Sequence, residues 1–244
     1  MILISVIIIT RNEERHIAEA ISSLSCCDEV LVIDAESTDQ TREIAERCGA
    51  RVIVRSWDGF ASQKNFGATQ ARYDWIFSLD ADERVSIELA NEIQQWKRKS
   101  GETAARSMPR IAFYLGQWIR YSGWYPDRKV RLFNKSTARW SGDSIHEKLE
   151  SDGPVERFKG DILHFPFRDW NDHLQRIDRY TVMSSEAAHR NGKRANLLML
   201  VAGPPITFLR TFFLRLGFLD GWRGVMIAYA AARYIYLREL RILR

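Results

Sequence analysis

The run Ile2-Leu-Ile-Ser-Val-Ile-Ile-Ile9 is apolar except for one serine and is dominated by β-branched residues. Such side chains are stiff at χ1 and suit a packed, pleated surface. A run without polar alternation needs cover on both faces, the situation of a central strand in a parallel sheet. Two similar runs follow, Glu29–Asp34 (EVLVID) and Trp75–Leu79 (WIFSL), with a shorter one at Arg51–Arg55. Helical spacing occupies the intervals, roughly 15–24, 40–48, 63–69 and 86–99. Unbroken strands alternating with helices predict an α/β fold on a mainly parallel sheet. Ligands of such sheets bind beyond the carboxyl ends of the strands. Three polar clusters stand there: Thr10–Glu14, Asp34–Asp39 and Asp80–Glu83.

Asp80 and Asp82 are two apart, so in a fully extended strand both carboxylates point the same way. That arrangement suits Mg²⁺ or Mn²⁺, which takes one or two protein carboxylates and fills its shell with water and phosphate oxygens. The competing reading is an acidic turn after a core strand. Asp34 is placed to accept a nucleobase N–H or a ribose hydroxyl. Helix capping is the alternative role for Ser37 and Asp39, and for Asn12 and Glu13 at the first helix. Lys64 and Arg72 either reach a diphosphate or are merely solvated.

Residues 100–110 are polar and poorly patterned, which predicts a linker or loop. Residues 111–170 are aromatic-rich with short strand-like pieces at Ile111–Leu115, Val130–Phe133, Arg139–Ser141 and Ile162–Phe165, and helices resume near Trp170. The net charge of +5 is uneven: residues 190–244 hold ten basic and two acidic residues, a balance of +8, against −3 for the rest. Asn196–Leu219 is strongly apolar, but Pro204, Pro205, Arg210 and Arg215 interrupt it, so no run reaches the ~18–20 residues of a membrane span. Basic residues among large apolar ones predict helices lying in an anionic membrane interface; a buried helical subdomain is the alternative. Nucleic-acid binding is not expected, because the basic residues do not form a polar stripe. Cys26, Cys27 and Cys48 lack metal-ligand spacing and read as reduced thiols, and no export signal precedes the first strand, so a cytosolic compartment is expected.

The ordered motifs Ser-Val-Ile-Ile-Ile-Thr-Arg-Asn-Glu-Glu (5–14), Val-Ile-Asp-Ala-Glu-Ser-Thr-Asp-Gln-Thr (32–41), Gln-Lys-Asn-Phe-Gly-Ala (63–68) and Asp-Ala-Asp-Glu (80–83) resemble a family 2 glycosyltransferase of the GT-A fold. Further segments, Arg131-Leu-Phe-Asn134, Ile145-His-Glu-Lys-Leu149 and Gly217-Phe-Leu-Asp-Gly221, are similar to small bacterial enzymes of the WaaE/KdtX type, which build the lipopolysaccharide core. The resemblance implies a nucleotide-sugar-binding half over 1–100, an acceptor-binding half over 101–170 and a membrane-associating helical region over 171–244. It implies that Thr10, Arg11, Glu13 and Asp34 contact the nucleotide and that Lys64 sits near the diphosphate. Asp80 and Ala81 would lie by the ribose and metal-bound water, and Asp82 would bind the cation. Members invert the anomeric centre in one displacement, which needs a base. Glu147 is the choice, with Asp143 the runner-up, and His146 either a further metal ligand or a group orienting Glu147. The alternative for Glu147 is the start of a salt-bridged strand.

Trp118, Trp124, Tyr125 and Trp140 either stack on sugars or pack in the core. Arg128, Lys129 and Arg131 either meet an anionic acceptor or form a solvated face. The expected activity is transfer of a hexose, glucose first among candidates, from a UDP-sugar to a lipid-linked core oligosaccharide at the cytosolic face of the inner membrane. Alternatives are transfer to a polyprenyl phosphate, nucleotidyl transfer, which normally uses a glycine-rich phosphate loop that Thr10–Glu14 lacks, and a non-enzymatic nucleotide-sugar-binding module, which needs no acceptor-side base.

Overall fold

The computed structural model describes residues 1–98, 104–142 and 147–243. Along the chain run β1 (Ile4–Thr10), α1 (Ile17–Ser22), β2 (Glu29–Asp34), α2 (Thr41–Arg47), β3 (Arg51–Val54), α3 (Phe60–Gln70), β4 (Trp75–Asp80), β5 (Glu83–Val85) and α4 (Ile87–Lys97). There follow β6 (Ala105–Tyr114), β7 (Gln117–Ile119), β8 (Asp127–Asn134), β9 (Ala138–Ser141), β10 (Lys148–Ser151), β11 (Val155–Arg157) and β12 (Ile162–His164). The chain ends in α5 (Trp170–Arg190), α6 (Leu197–Val201), α7 (Gly203–Leu209) and α8 (Trp222–Leu243). Two compact units result: Met1–Arg110 with Asp127–His164, and Ile111–Pro126 with Phe165–Arg244.

In the first unit β3, β2, β1 and β4 lie side by side and parallel, β8 adds antiparallel to β4, and β6 pairs with β8. Strand β1 shows why the order holds. Ile4, Val6 and Ile8 enter one core with Ile17 and Ala20 of α1 and Leu89 and Ile93 of α4. Ile7 and Ile9 enter a second core with Ala68 of α3, Phe133 and Trp140. This period-2 division is what a strand covered on both faces requires, and each fully buried Ile contributes about 1.5–3 kcal/mol.

Helix α3 approaches the sheet closely at Gly67, where a Cβ would lie 3.2 Å from side-chain atoms of both Ile7 and Ile33. Lys64 stands one turn earlier on the same helix face and is drawn down with it. The parallel register aligns the strand ends, pairing Thr10 with Asp34 and Ile9 with Asp80. Antiparallel pairing of β5 with β12 sets His164 opposite Glu83.

The stretch expected to be a linker is a strand from Ala105 onward; residues 99–103 lie outside the described residues. Its polarity misleads because its arginines are covered. Arg106 lies over the rings of Trp96 and Phe158, at 5.1 and 4.9 Å, and Arg110 pairs with Glu83 and Asp127.

In the second unit β7 turns back on the end of β6, with Phe113 opposite Trp118. Tyr114, Ile119 and Ile227 form a core joined by Trp124, Phe167 and Trp170. The Tyr114 hydroxyl lies 2.7 Å from His173 Nδ1, and the Phe167 ring stacks on His173 at 4.1 Å. Burial pushes the His173 imidazole down to about 4, so it is neutral at pH 7. Trp118 packs against Phe113 and Phe165, and Trp124 against Tyr114 and Phe167. Helix α8 packs on α5, α6 and α7. Among the described residues no helix is long and apolar enough to cross a membrane.

Candidate active site

The polar residues of the first unit gather at the carboxyl edge of β1, β2 and β4. Asp34 is fully buried there. Its carboxylate accepts from the Ser37 backbone N–H at 2.9 Å and from the Ser37 hydroxyl at 2.5 Å. The Ser37 hydroxyl in turn accepts from the Asn12 N–H, and the Thr38 N–H donates to the Asn12 side-chain oxygen. The Glu13 N–H donates to Thr41 Oγ1 at 2.8 Å. The loops after β1 and β2 are thus laced into one rim. The N-cap positions are Gln40 for α2 and His16 for α1, yet Asp39 serves the α2 N-terminus, because its carboxylate accepts from the Thr41 backbone N–H at 3.0 Å. The hydrogen bonds of Asn12 and Ser37 run between and within the loops. Asn12 holds φ 57° and Glu36 φ 57°, left-handed conformations that the lacing supports.

Thr10 is buried, and among the described residues its hydroxyl has no hydrogen-bond partner. A buried hydroxyl left open at a strand end is a ready contact for a ligand. Arg11 is exposed, Glu13 half-buried and Ala81 buried.

Asp80 and Asp82 do not share a strand face. β4 ends at Asp80, residues 81–82 form a turn, and β5 starts at Glu83. The reversal sends the two carboxylates to different partners. Asp80 meets Lys64 Nζ at 3.4 Å and Arg131 at 2.6 Å. Asp82 Oδ2 lies 3.4 Å from His164 Nε2. Glu83, fully buried, closes the turn by accepting from the Asp80 N–H at 3.1 Å, and it also pairs with Arg131 at 2.7 Å and Arg110 at 2.9 Å. Desolvation alone would raise the Asp80 pKa. The Arg131 and Lys64 charges outweigh it and hold the carboxyl well below the usual carboxylate range. Asp80 therefore stays ionised at any working pH.

Lys64 is the joint of the cluster. Its ammonium is 2% exposed, lies 3.2 Å from Glu147 Oε1, and sits 4.5 Å from the centre of the Trp140 ring. Glu147 is half-buried and stands just before β10 rather than within it. Trp140 is packed against Phe133 beneath Lys64, so it is core rather than a sugar platform. His146 and Asp143 lie outside the described residues.

The expectations for Arg72 and Arg131 change. Arg72 pairs with Glu29, the first residue of β2, at 3.5 Å, and so lies at the amino edge of the sheet, away from any diphosphate there. Arg131 is buried and committed to Asp80 and Glu83 rather than facing an acceptor. Lys129 pairs with Asp127 at 3.0 Å, and Arg128 donates to the Phe158 carbonyl at 3.1 Å. His164, Arg110 and the buried pairing of Arg131 are not expected from sequence, and Glu83 is expected only as a member of a polar cluster. Only Glu83, a glutamate beside two aspartates at a buried strand's end, carried a local signal. The others depend on strand pairings remote in sequence.

Asp82 and His164 are the residues that could hold a divalent cation. A carboxylate oxygen and an imidazole nitrogen, both partly exposed and 3.4 Å apart, fit two positions of a shell completed by water and phosphate. Among the described residues no group of three or more such ligands gathers.

The chain belongs to glycosyl transferase family 2, whose model matches residues 5–147. It is 32% identical over 258 residues to an uncharacterized glycosyltransferase of Rickettsia typhi, covering 98% of this chain and 86% of that protein. It is 27% identical over 250 residues to the lipopolysaccharide core biosynthesis glycosyltransferase LpsC of Rhizobium meliloti, covering 97% and 93%. The structure of S. aureus TarS superposes with a TM-score of 0.50 at 15% identity, covering 75% of this chain and 40% of TarS, so the chain spans less than half of that molecule. The fold is GT-A, with helices at the C-terminus, and the protein is a glycosyltransferase.

Proposed function

We propose that the protein is an inverting, divalent-cation-dependent transferase that moves a hexose, glucose being the first candidate, from a UDP-sugar to a lipopolysaccharide core oligosaccharide. The observation that carries this reading is the Lys64 ammonium held between Asp80 and Glu147 at the carboxyl edge of the sheet. A cation and a carboxylate paired in this way support a reading in which one faces a leaving diphosphate and the other an attacking hydroxyl. The kinship with LpsC supports the choice of acceptor.

The residues divide the work. Thr10 Oγ1 and the ionised Asp80 hydrogen-bond the nucleoside. Lys64 faces the diphosphate and offsets charge that grows as the bond from the anomeric carbon to the phosphate oxygen breaks. Glu147 takes the proton of the acceptor hydroxyl as its oxygen attacks the anomeric carbon from the opposite side, inverting configuration. Asp82 and His164 would hold the cation, which supplies Lewis-acid stabilisation of the leaving nucleoside diphosphate. The exposed apolar and basic C-terminal segment supports a peripheral place on the cytosolic membrane face, where a lipid-linked acceptor is reached.

A thermal-shift panel of nucleotide sugars with and without Mn²⁺ tests the donor, because a ligand of the folded state raises its stability by mass action. A UDP-hexose is expected to give the largest Mn²⁺-dependent shift; equal or absent shifts would overturn the assignment. The anomeric configuration of the product, read by NMR, is expected to be opposite to that of the donor, and retention would exclude a single displacement.

A further inference from the structure

The second unit exposes what proteins usually bury. Leu209, Phe213, Leu214, Phe218, Leu219 and Trp222 are each between 45% and 80% exposed, all within a short stretch of chain. The charge of this last part of the chain is one-sided. Arg190, Lys193, Arg194, Arg210 and Arg215 are exposed. The two acidic residues of this part of the chain, Asp220 and Glu239, are buried at 2% and 4%. Glu239 accepts from the Asn196 N–H at 3.0 Å and pairs with Arg238 at 2.7 Å.

Asp220 has a different task. One carboxylate oxygen accepts from the backbone N–H groups of Arg120 and Tyr121, at 3.2 and 3.3 Å, and the other from the Ser122 hydroxyl at 2.7 Å. The Ser122 N–H donates to the Arg215 carbonyl at 2.9 Å. The turn so held is bent sharply, with φ 59° at Ser122 and 78° at Gly123, and a Cβ on Gly123 would meet the Arg215 side chain at 2.6 Å. The short 3₁₀ turn Gly217–Asp220 therefore sends Phe218 and Leu219 outward and Asp220 inward to grip a second loop. That loop carries exposed Arg120 and Tyr121.

We infer that Leu209–Trp222 and the Arg120–Tyr121 loop form one docking surface for an anionic lipid bilayer, and that Asp220 is the buried joint that makes the two segments act as a unit. This rests on the membrane-face part of the function proposed above. The occupant follows from the chemistry. Apolar side chains with Arg210 and Arg215 in the same short stretch, and both acids of residues 190–243 turned inward, match acyl chains beneath anionic head groups. Arg210 and Arg215, both exposed, would reach lipid phosphates with their guanidinium groups. A second copy is disfavoured, because a two-fold contact would set Arg210 and Arg215 against the same positive segment, whose two acids, Asp220 and Glu239, are buried.

The test uses the full chain and vesicles of phosphatidylcholine with and without roughly one-third phosphatidylglycerol. Wild type is expected to co-sediment with the anionic vesicles, and the doubly substituted Phe213→Glu/Phe218→Glu protein to bind at least about tenfold more weakly. Hydrogen exchange across residues 117–126 is expected to slow when anionic vesicles are added. Asp220→Ala should abolish that slowing while some vesicle binding remains, and Asp220→Asn, which keeps an acceptor oxygen, should restore much of it. Should Asp220→Ala fail to fold, Ser122→Ala removes one of the three bonds and should lower the protection in part. Absence of vesicle binding by wild type, or concentration-dependent dimerisation that shields the patch without lipid, overturns the lipid assignment. Vesicle protection unchanged in Asp220→Ala, or in Ser122→Ala where that variant stands in for it, overturns the joint. None of these readouts uses turnover, and UDP-sugar-dependent thermal shifts on the same variants report separately on the donor site.

Discussion

The carboxyl edge of the first unit and the C-terminal segment of the second invert the usual inside–outside rule in opposite directions. At the edge, Lys64, Arg131 and Glu83 are charged and buried. In the segment, Phe213, Leu214 and Trp222 are apolar and exposed. Neither is a default of folding, since buried charge costs desolvation and exposed apolar area forgoes burial. The edge compensates inside the molecule, because each buried charge has opposite charges within hydrogen-bonding distance. Among the described residues the segment has no such compensation, which is what the proposed lipid partner would supply. A self-sufficient charged cluster belongs to chemistry, and an uncompensated apolar face belongs to association.

That contrast can be broken at several points. The largest effect is expected from Glu147→Gln, which should lower turnover by about 10²–10⁴-fold, the usual worth of a positioned base, while leaving UDP-sugar binding intact in thermal shift. Full activity would return Glu147 to the role of a partner for Lys64 alone. Next, Asp82→Ala should lower turnover by roughly 10²–10³-fold and abolish the Mn²⁺-dependent part of donor binding, and His164→Ala should do the same more weakly. Normal metal dependence in both would remove the cation from this pair.

A smaller change, in stability rather than rate, should follow Arg131→Met. Removing this guanidinium leaves Glu83 with Arg110 alone and Asp80 with Lys64 alone, at a cost of about 3–5 kcal/mol in urea unfolding. A near-neutral result would show that the edge is less interdependent than its geometry. The mildest expectation concerns pH. The native pKa of His173 is depressed, so protons favour the unfolded chain. Stability should be complete above its unfolded value of about 6.5, fall as the pH drops from there to about 4, and lose no more from this group below that. Asp80, also depressed, contributes stability that is complete above the ordinary aspartate range and is lost as pH falls through its native value. His173→Phe should flatten the first decline, read from urea midpoints, and leave the acid-side loss in place.

Much of the first unit was legible in the sequence because its signals are local. Apolar runs without alternation at residues 2–9, 29–34 and 75–79 mark doubly covered strands, and their polar ends mark the functional edge. Thr10, Asp34 and Asp80 fell into register because parallel neighbours align their ends. The arginines of β6 and β8 were misread because a charged side chain looks solvated until its partner is known. Arg106, Arg110 and Arg131 are matched by Trp96, Phe158, Glu83, Asp127 and Asp80, which lie across strand and helix packings rather than nearby in sequence.

The α/β class, the family and the edge where chemistry belongs are written in the order of the residues, since they follow from periodicity and short ordered motifs. The sequence also carried the one-sided charge of the last part of the chain. Only the tertiary structure decided that a turn after β4 parts Asp80 from Asp82, sending one to Lys64 and Arg131 and the other to His164. It alone turned Asp220 inward while leaving Phe218 and Leu219 outside. The physical reason is the same in both places. Which way a side chain faces, and what it meets there, is set by contacts between segments far apart in the chain, and no local pattern encodes them.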